Sequence, residues 1–149
     1  MAKKTEARSE NPVYRIQSES REDYLEAIYV FSRMCDGKIR SSELAEYMGF
    51  SRASVCRAVA ALKSEGLLTM DDSFLLELTE TSKQEAVKIY DKHKFFEDLL
   101  IRSGVESATA RAEACRMEHG ISDDSFRKLS RAINNAFQSY QSTAAAENL

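Results

Sequence analysis

SSELAEYMGFSRASVCRAVAALKSEG, residues 41–66, is the stretch that decides the fold. Ser41 to Met48 reads as a short helix stopped by Gly49, a residue suited to helix ends. Ser51 then caps a further helix from Arg52 to about Glu65, closed by Gly66. A helix, the break Gly49-Phe50-Ser51 and a second helix make a helix-turn-helix. In the later helix Val55, Val59 and Leu62 form one stripe, with Ala58 beside it, that should pack inward. At ~100° per residue, Arg57 falls roughly opposite that stripe, flanked by Ala53 and Ala60.

Upstream, Ser18 or Ser20 caps a helix whose apolar positions run Tyr24, Leu25, Ile28 and Phe31, ending before Asp36-Gly37. Downstream, Leu68-Thr69-Met70 and Leu76-Glu77-Leu78 flank the polar turn Asp71-Asp72-Ser73 and read as a hairpin, the wing. A long helix follows from Thr81 or Ser82 to Leu100. Another runs from about Ser107 to His119, and Ser122 caps a last one through Phe126, Leu129, Ile133 and Phe137. The expected organisation is a flexible arm (1–18), a winged helix-turn-helix (19–80), an all-helical domain (81–141) and a flexible tail (142–149). The fold class is mainly α.

Composition agrees with a soluble globular chain. Of 149 residues, 43% are apolar and 30% charged, while five glycines and one proline predict many helices with short connections. No apolar run approaches a membrane span, the first ten residues are polar, and the three cysteines are widely spaced, so a cytoplasmic protein is expected. The net charge of −3 is unusual for a nucleic-acid binder, though local patches and carboxylates gathered around a cation escape such a sum.

A long basic residue among small ones lets a helix lie close in a major groove while Arg57 reaches base edges. Ser51, Arg52 and Ser54 sit at the helix N-terminus, where hydroxyls, N–H groups and the dipole favour phosphate. Lys38 and Arg40, before the preceding helix, are placed to clamp the backbone. Asp71 and Asp72 argue against deep insertion of the wing. The same elements would also serve a metal-free interaction module.

The second chemistry lies in Glu113 to His119. Cys115, Glu118 and His119 stand at i, i+3 and i+4, so thiolate, carboxylate and imidazole share one helical face. That is a first-row transition-metal set. His93 has Glu97 one turn later, although its neighbours Lys92 and Lys94 suit a surface stretch. Asp23 and Glu26, at i and i+3 of the first helix, are placed to add oxygen ligands. A metalloenzyme would use such a set too, yet no clear general base stands outside it.

Asp23 to Tyr29, Ser51 to Val55 leading to Glu65-Gly66-Leu67, Leu78-Thr79, His93 to Leu100, Glu113 to His119 and Ser122-Asp123 together resemble the diphtheria-toxin-repressor family. The likeness runs from about Arg21 to Phe137 and is greatest to the short manganese-transport-regulator branch. It implies a metal-dependent repressor of metal-uptake genes with Mn²⁺ or Fe²⁺ as co-repressor. It also implies a homodimer on double-stranded DNA with an inverted-repeat operator, and no enzymatic activity. Carried over by position, Asp23, His93, Glu118 and His119 are metal ligands, and Cys115 occupies another ligand position. Glu26 matches a ligand of the manganese branch, and Glu97 an accessory-site ligand of the iron branch. Arg111 stands where the iron branch places an accessory-site histidine, and Cys115 where the manganese branch has a carboxylate. The resemblance is to the short form, so the extra C-terminal domain of longer iron-branch members is not expected.

Overall fold

The structure, a computed structural model, describes residues 13–34 and 37–147, with side chains for 21–34 and 37–139. Its elements are α1 (Val13–Met34), β1 (Ile39–Arg40), α2 (Ser41–Met48), α3 (Arg52–Ser64), β2 (Leu68–Met70), β3 (Leu75–Leu78), α4 (Glu80–Arg102), α5 (Ser107–Glu118) and α6 (Asp123–Glu147). The chain divides into two compact units after Tyr90, inside α4.

The first unit is a winged helix-turn-helix. Gly49 takes φ 67°, a left-handed turn, and its N–H reaches the Glu46 carbonyl at 3.2 Å while Phe50 N–H bonds the Ala45 carbonyl at 3.0 Å. These bonds end α2 and turn the chain into α3, where Ser51 Oγ accepts from Ser54 N–H at 3.1 Å. Val55, Val59 and Leu62 are buried as their stripe requires, with Ala58 packed beside them. They join Tyr24, Leu25 and Ile28 of α1, Leu44 of α2 and Leu76 of β3 in one core.

The wing hairpin pairs Leu68 with Leu78 and Met70 with Leu76. Asp71 Oδ1 accepts from the N–H groups of Ser73 (2.9 Å) and Leu75 (3.0 Å), a local turn that Asp side chains favour. Phe74 completes the turn at φ 60°. A third strand escaped the sequence reading. Ile39–Arg40 pairs antiparallel with β3, giving the order β1-β3-β2. Two residues are too short to display an alternating pattern; the strand exists because β3 offers its free edge.

Ser82 and Ala86, in the first turns of α4, belong to this unit. Ser82 Oγ donates to the Leu67 carbonyl at 2.5 Å, and Ser82 and Ala86 are fully buried. Tyr29 and Tyr90 meet edge to face at 5.6 Å, so the first half of α4 also rests on α1.

The second unit is helical. Phe96 is buried and stacks against Phe95 (5.5 Å) and Phe126 (5.9 Å), joining α4 to α6. Ala110 and Ala114 present the buried side of α5. Ser122 Oγ accepts from Ser125 N–H at 3.2 Å, the expected cap on α6.

Both ends of the described chain correct the sequence reading. α1 begins at Val13, so residues 13–18 are helical rather than a loose arm; residues 1–12 lie outside the described part. Residues 142–147 continue α6 instead of forming a frayed tail, in keeping with the high helix propensity of Ala144, Ala145 and Ala146. The predicted end of the first helix, Cys35-Asp36, and the last two residues also lie outside the described part.

Candidate metal centre and nucleic-acid face

Cys115, Glu118 and His119 emerge from the last turn of α5. His119 is the C-cap, but its backbone (φ −80°, ψ −15°) is still helical, so its imidazole keeps the face predicted by spacing. One ligand atom from each of the three lies within 4.8 Å of the others. From α4, His93 Nδ1 comes to 2.7 Å from Glu118 Oε2. On the other oxygen, His119 Nε2 stands 3.2 Å from Glu118 Oε1. Glu118 therefore sits between two imidazoles, with its side chain 0% exposed.

The environment of Glu118 tests whether this set suits a metal. Its Oε1 is buried and makes no hydrogen bond among the described residues; the His119 contact is close but wrongly aligned for one. Burying a carboxylate without full pairing is costly, and a cation is its natural complement. Imidazole, carboxylate and thiolate together fit a divalent first-row ion. The residues fit.

His93 is not the surface histidine its lysine neighbours suggested. Its side chain is 13% exposed, and Lys92 beside it is buried as well. Asp23 and Glu26 lie on α1, both half-buried beside the core residues Tyr24, Leu25 and Ala27.

Glu97 has a different setting. Lys94 Nζ donates to Oε2 at 3.0 Å and Arg111 Nε donates to Oε1 at 3.2 Å, while His93 Nε2 is 3.7 Å from Oε2. Burial alone would raise this carboxyl, but the bonds from Lys94 and Arg111, with the attraction of Lys94 and His93, hold it below its ordinary range. Both of its oxygens are bonded to cations of its own unit. Arg111, noted in the sequence for its unexpected position, is one of them.

On the nucleic-acid side, Arg57 is exposed on α3 with Ala53 and Ala60 exposed around it, and it leans on Ser54 Oγ at 3.4 Å. Arg52 and Arg40 are exposed too. Lys38 is committed elsewhere, 3.2 Å from Asp71 and 3.8 Å from Glu77. The acidic wing tip is thus partly neutralised from within. The Leu75 N–H above all, with Lys38 and the Ser73 N–H, holds Asp71 below the usual carboxylate range. A groove of about 420 Å³ between α3 and the wing is lined by Arg40, Cys56, Lys63 and Phe74 among others, and by no carboxylate. Lys63 and Phe74 carried no signal in the sequence, because the groove depends on how the wing folds over α3.

Residues 17–72 match the iron-dependent repressor N-terminal DNA-binding domain. Residues 79–139 match the iron-dependent repressor metal-binding and dimerisation domain. The chain belongs to the iron-dependent repressor family. Similar proteins include an uncharacterised helix-turn-helix transcriptional regulator of Methanocaldococcus jannaschii, 35% identical over 75% of this chain and 90% of that protein. The iron-dependent repressor IdeR of Mycobacterium tuberculosis is 34% identical over 76% of this chain and 50% of its own length. Among solved structures, the manganese regulator SloR superposes with a TM-score of 0.67 at 32% identity, covering 76% of this chain and 53% of SloR. The chain spans about half the length of IdeR and of SloR. The family fits the architecture described above, a winged helix-turn-helix followed by a helical metal-binding region.

Proposed function

We propose that this chain is a co-repressor-dependent transcriptional regulator in which a divalent metal, Mn²⁺ or Fe²⁺, licenses binding to an operator upstream of metal-uptake genes. The observation that carries the reading is Glu118, a buried carboxylate held between His93 and His119 with an oxygen that makes no hydrogen bond among the described residues. The bound ion would supply a compact double positive charge to the carboxylates and thiolate around it.

The chain's own residues perform the rest. His93, Cys115, Glu118 and His119 form the part of the site carried by α4 and α5. By the family resemblance, Asp23 and Glu26 would add oxygen ligands from α1, whose Tyr24, Leu25 and Ile28 are built into the winged-helix core. Ligation of α1 would then restrict how the DNA-binding unit is held. Two subunits of a homodimer would then present their α3 helices to successive major grooves of an inverted repeat. The effect is a shift of population, limited by the difference in metal affinity between competent and incompetent arrangements. Glu97 is the weakest member of the ligand set, since Lys94 and Arg111 already bond its oxygens. The cytoplasm is the compartment that suits a DNA-bound regulator with reduced thiols.

Operator titration with and without a chelator tests the mechanism. Removing metal should weaken specific binding by ~1–3 kcal/mol, about 5- to 150-fold. Unchanged affinity in excess chelator would sink it.

Arg57→Ala tests the reading face separately. Loss of a bidentate base contact is expected to cost ~1–3 kcal/mol at one base pair while metal affinity stays nearly intact. An unaffected operator affinity would move the recognition surface away from Arg57.

Cys115→Glu tests the soft ligand. A thiolate shifts preference toward later ions, so the carboxylate should lower Zn²⁺ and Co²⁺ affinity more than Mn²⁺ affinity. Competition titrations with the three ions report the order, and equal losses for all would remove Cys115 from selectivity.

A further inference from the structure

Beside His93 stands a residue that neither the metal nor the DNA explains. The Lys92 side chain is only 11% exposed, yet lysine is almost never buried without a partner. Its Nζ donates to the Ile121 carbonyl at 3.1 Å and lies 2.7 Å from Asp123 Oδ1. Ile121 lies in the connector from α5 to α6 and Asp123 opens α6, two and four residues past His119.

Lys92 and His93 are adjacent on α4, about 100° apart around the helix. They reach the end of α5 at two neighbouring points, His93 at Glu118 and Lys92 just beyond His119. These bonds differ in what they can do once the site is loaded. The His93–Glu118 bond is made of ligand atoms, which a metal would engage. The Lys92 bonds use no ligand atom. Within the connector, Gly120 N–H bonds the Met117 carbonyl at 3.1 Å, a local closure that says nothing of where α4 lies.

Resting on the metal reading above, we infer that Lys92 is a positioning residue for the metal centre. It pins the α5–α6 connector to α4 and thereby fixes the direction of His119, the C-cap of α5 and the ligand nearest the connector. Cys115 and Glu118 lie within α5, further from the connector's Ile121 along the chain than His119 is. Groups that hydrogen-bond a ligand directly affect metal affinity roughly ten- to hundredfold, and Lys92, one bond further out, is expected at the lower end of that range.

The test is Mn²⁺ binding to the full-length, metal-free chain by competition with a chelating dye, with no DNA present. Lys92→Met should weaken Mn²⁺ binding by about tenfold or more. Asp123→Asn, which spares the Ile121 bond, should weaken it less, and Lys92→Arg should recover most of the affinity. The decisive measurement is the cycle with His119→Ala, because a residue that acts by aiming His119 has nothing to aim once it is gone. Lys92→Met should then cost little in the His119→Ala background. Additive losses, or Mn²⁺ binding by Lys92→Met equal to the parent, would overturn the inference. If Lys92→Met loses its helical circular dichroism, the same cycle run with Asp123→Asn decides. Failure of the parent chain itself to bind Mn²⁺, Fe²⁺ or Co²⁺ is a separate result that removes the metal reading and the role of Lys92 with it.

Discussion

Glu118→Gln is expected to abolish stabilisation by metal while leaving the metal-free protein at least as stable as the parent. The two effects have opposite signs for one reason. In the metal-free chain, Glu118 is a fully buried carboxylate with one oxygen near His93 Nδ1 and the other, 3.2 Å from His119 Nε2, without a hydrogen bond among the described residues. The amide keeps the volume and removes an incompletely compensated charge, a change that is often neutral or stabilising. With metal, the balance reverses, because a ligand carboxylate has been lost. At a free metal concentration of about one hundred times Kd, the parent gains ~2.7 kcal/mol, equivalent to roughly 5–10 °C for a chain of this size. The variant should gain almost none at the same concentration. Thermal melts with and without Mn²⁺ measure both halves. A metal shift of parental size in Glu118→Gln would exclude Glu118 as a ligand, and a large loss of metal-free stability would mean that its charge is better compensated than its contacts show.

Leu25→Ala should be among the most destabilising single changes outside the metal site, at ~2–5 kcal/mol. Leu25 is 0% exposed and packs in the core that α1 shares with α2, α3 and the wing. Truncation removes buried methyl groups and leaves a cavity that the helix backbone cannot close. Native stability is typically only ~5–15 kcal/mol, so the midpoint of urea unfolding followed by circular dichroism should fall visibly. A change under about 1 kcal/mol would contradict the packing of α1 in the winged-helix core. The position also has functional weight. Leu25 lies between Asp23 and Glu26, so the packing that anchors α1 carries the two carboxylates proposed to join the metal site.

Much of this protein is legible along the chain because the information is local. Gly49 and Ser51 end one helix and begin the next through bonds to near neighbours, and the Val55, Val59, Leu62 stripe declares the buried side of α3. Cys115, Glu118 and His119 share a face because helical geometry alone places i, i+3 and i+4 together. The same locality explains the errors at the chain ends, where propensity and not a stop signal governs how far α1 and α6 extend.

Tertiary packing decided what no local period encodes. It formed β1 on the free edge of β3, and it brought His93 to Glu118 across 25 residues of sequence. It also gave Glu97 to Lys94 and Arg111, although spacing alone made Glu97 as good a ligand candidate as its neighbours. Lys92 shows the difference most sharply: its composition and neighbours read as solvent-facing, yet the packing of α4 against the α5–α6 connector buries it on a carbonyl and a carboxylate. Residue type and spacing determine which groups a helix face offers; the approach of a second element determines whether each group meets a metal, a counter-ion or water.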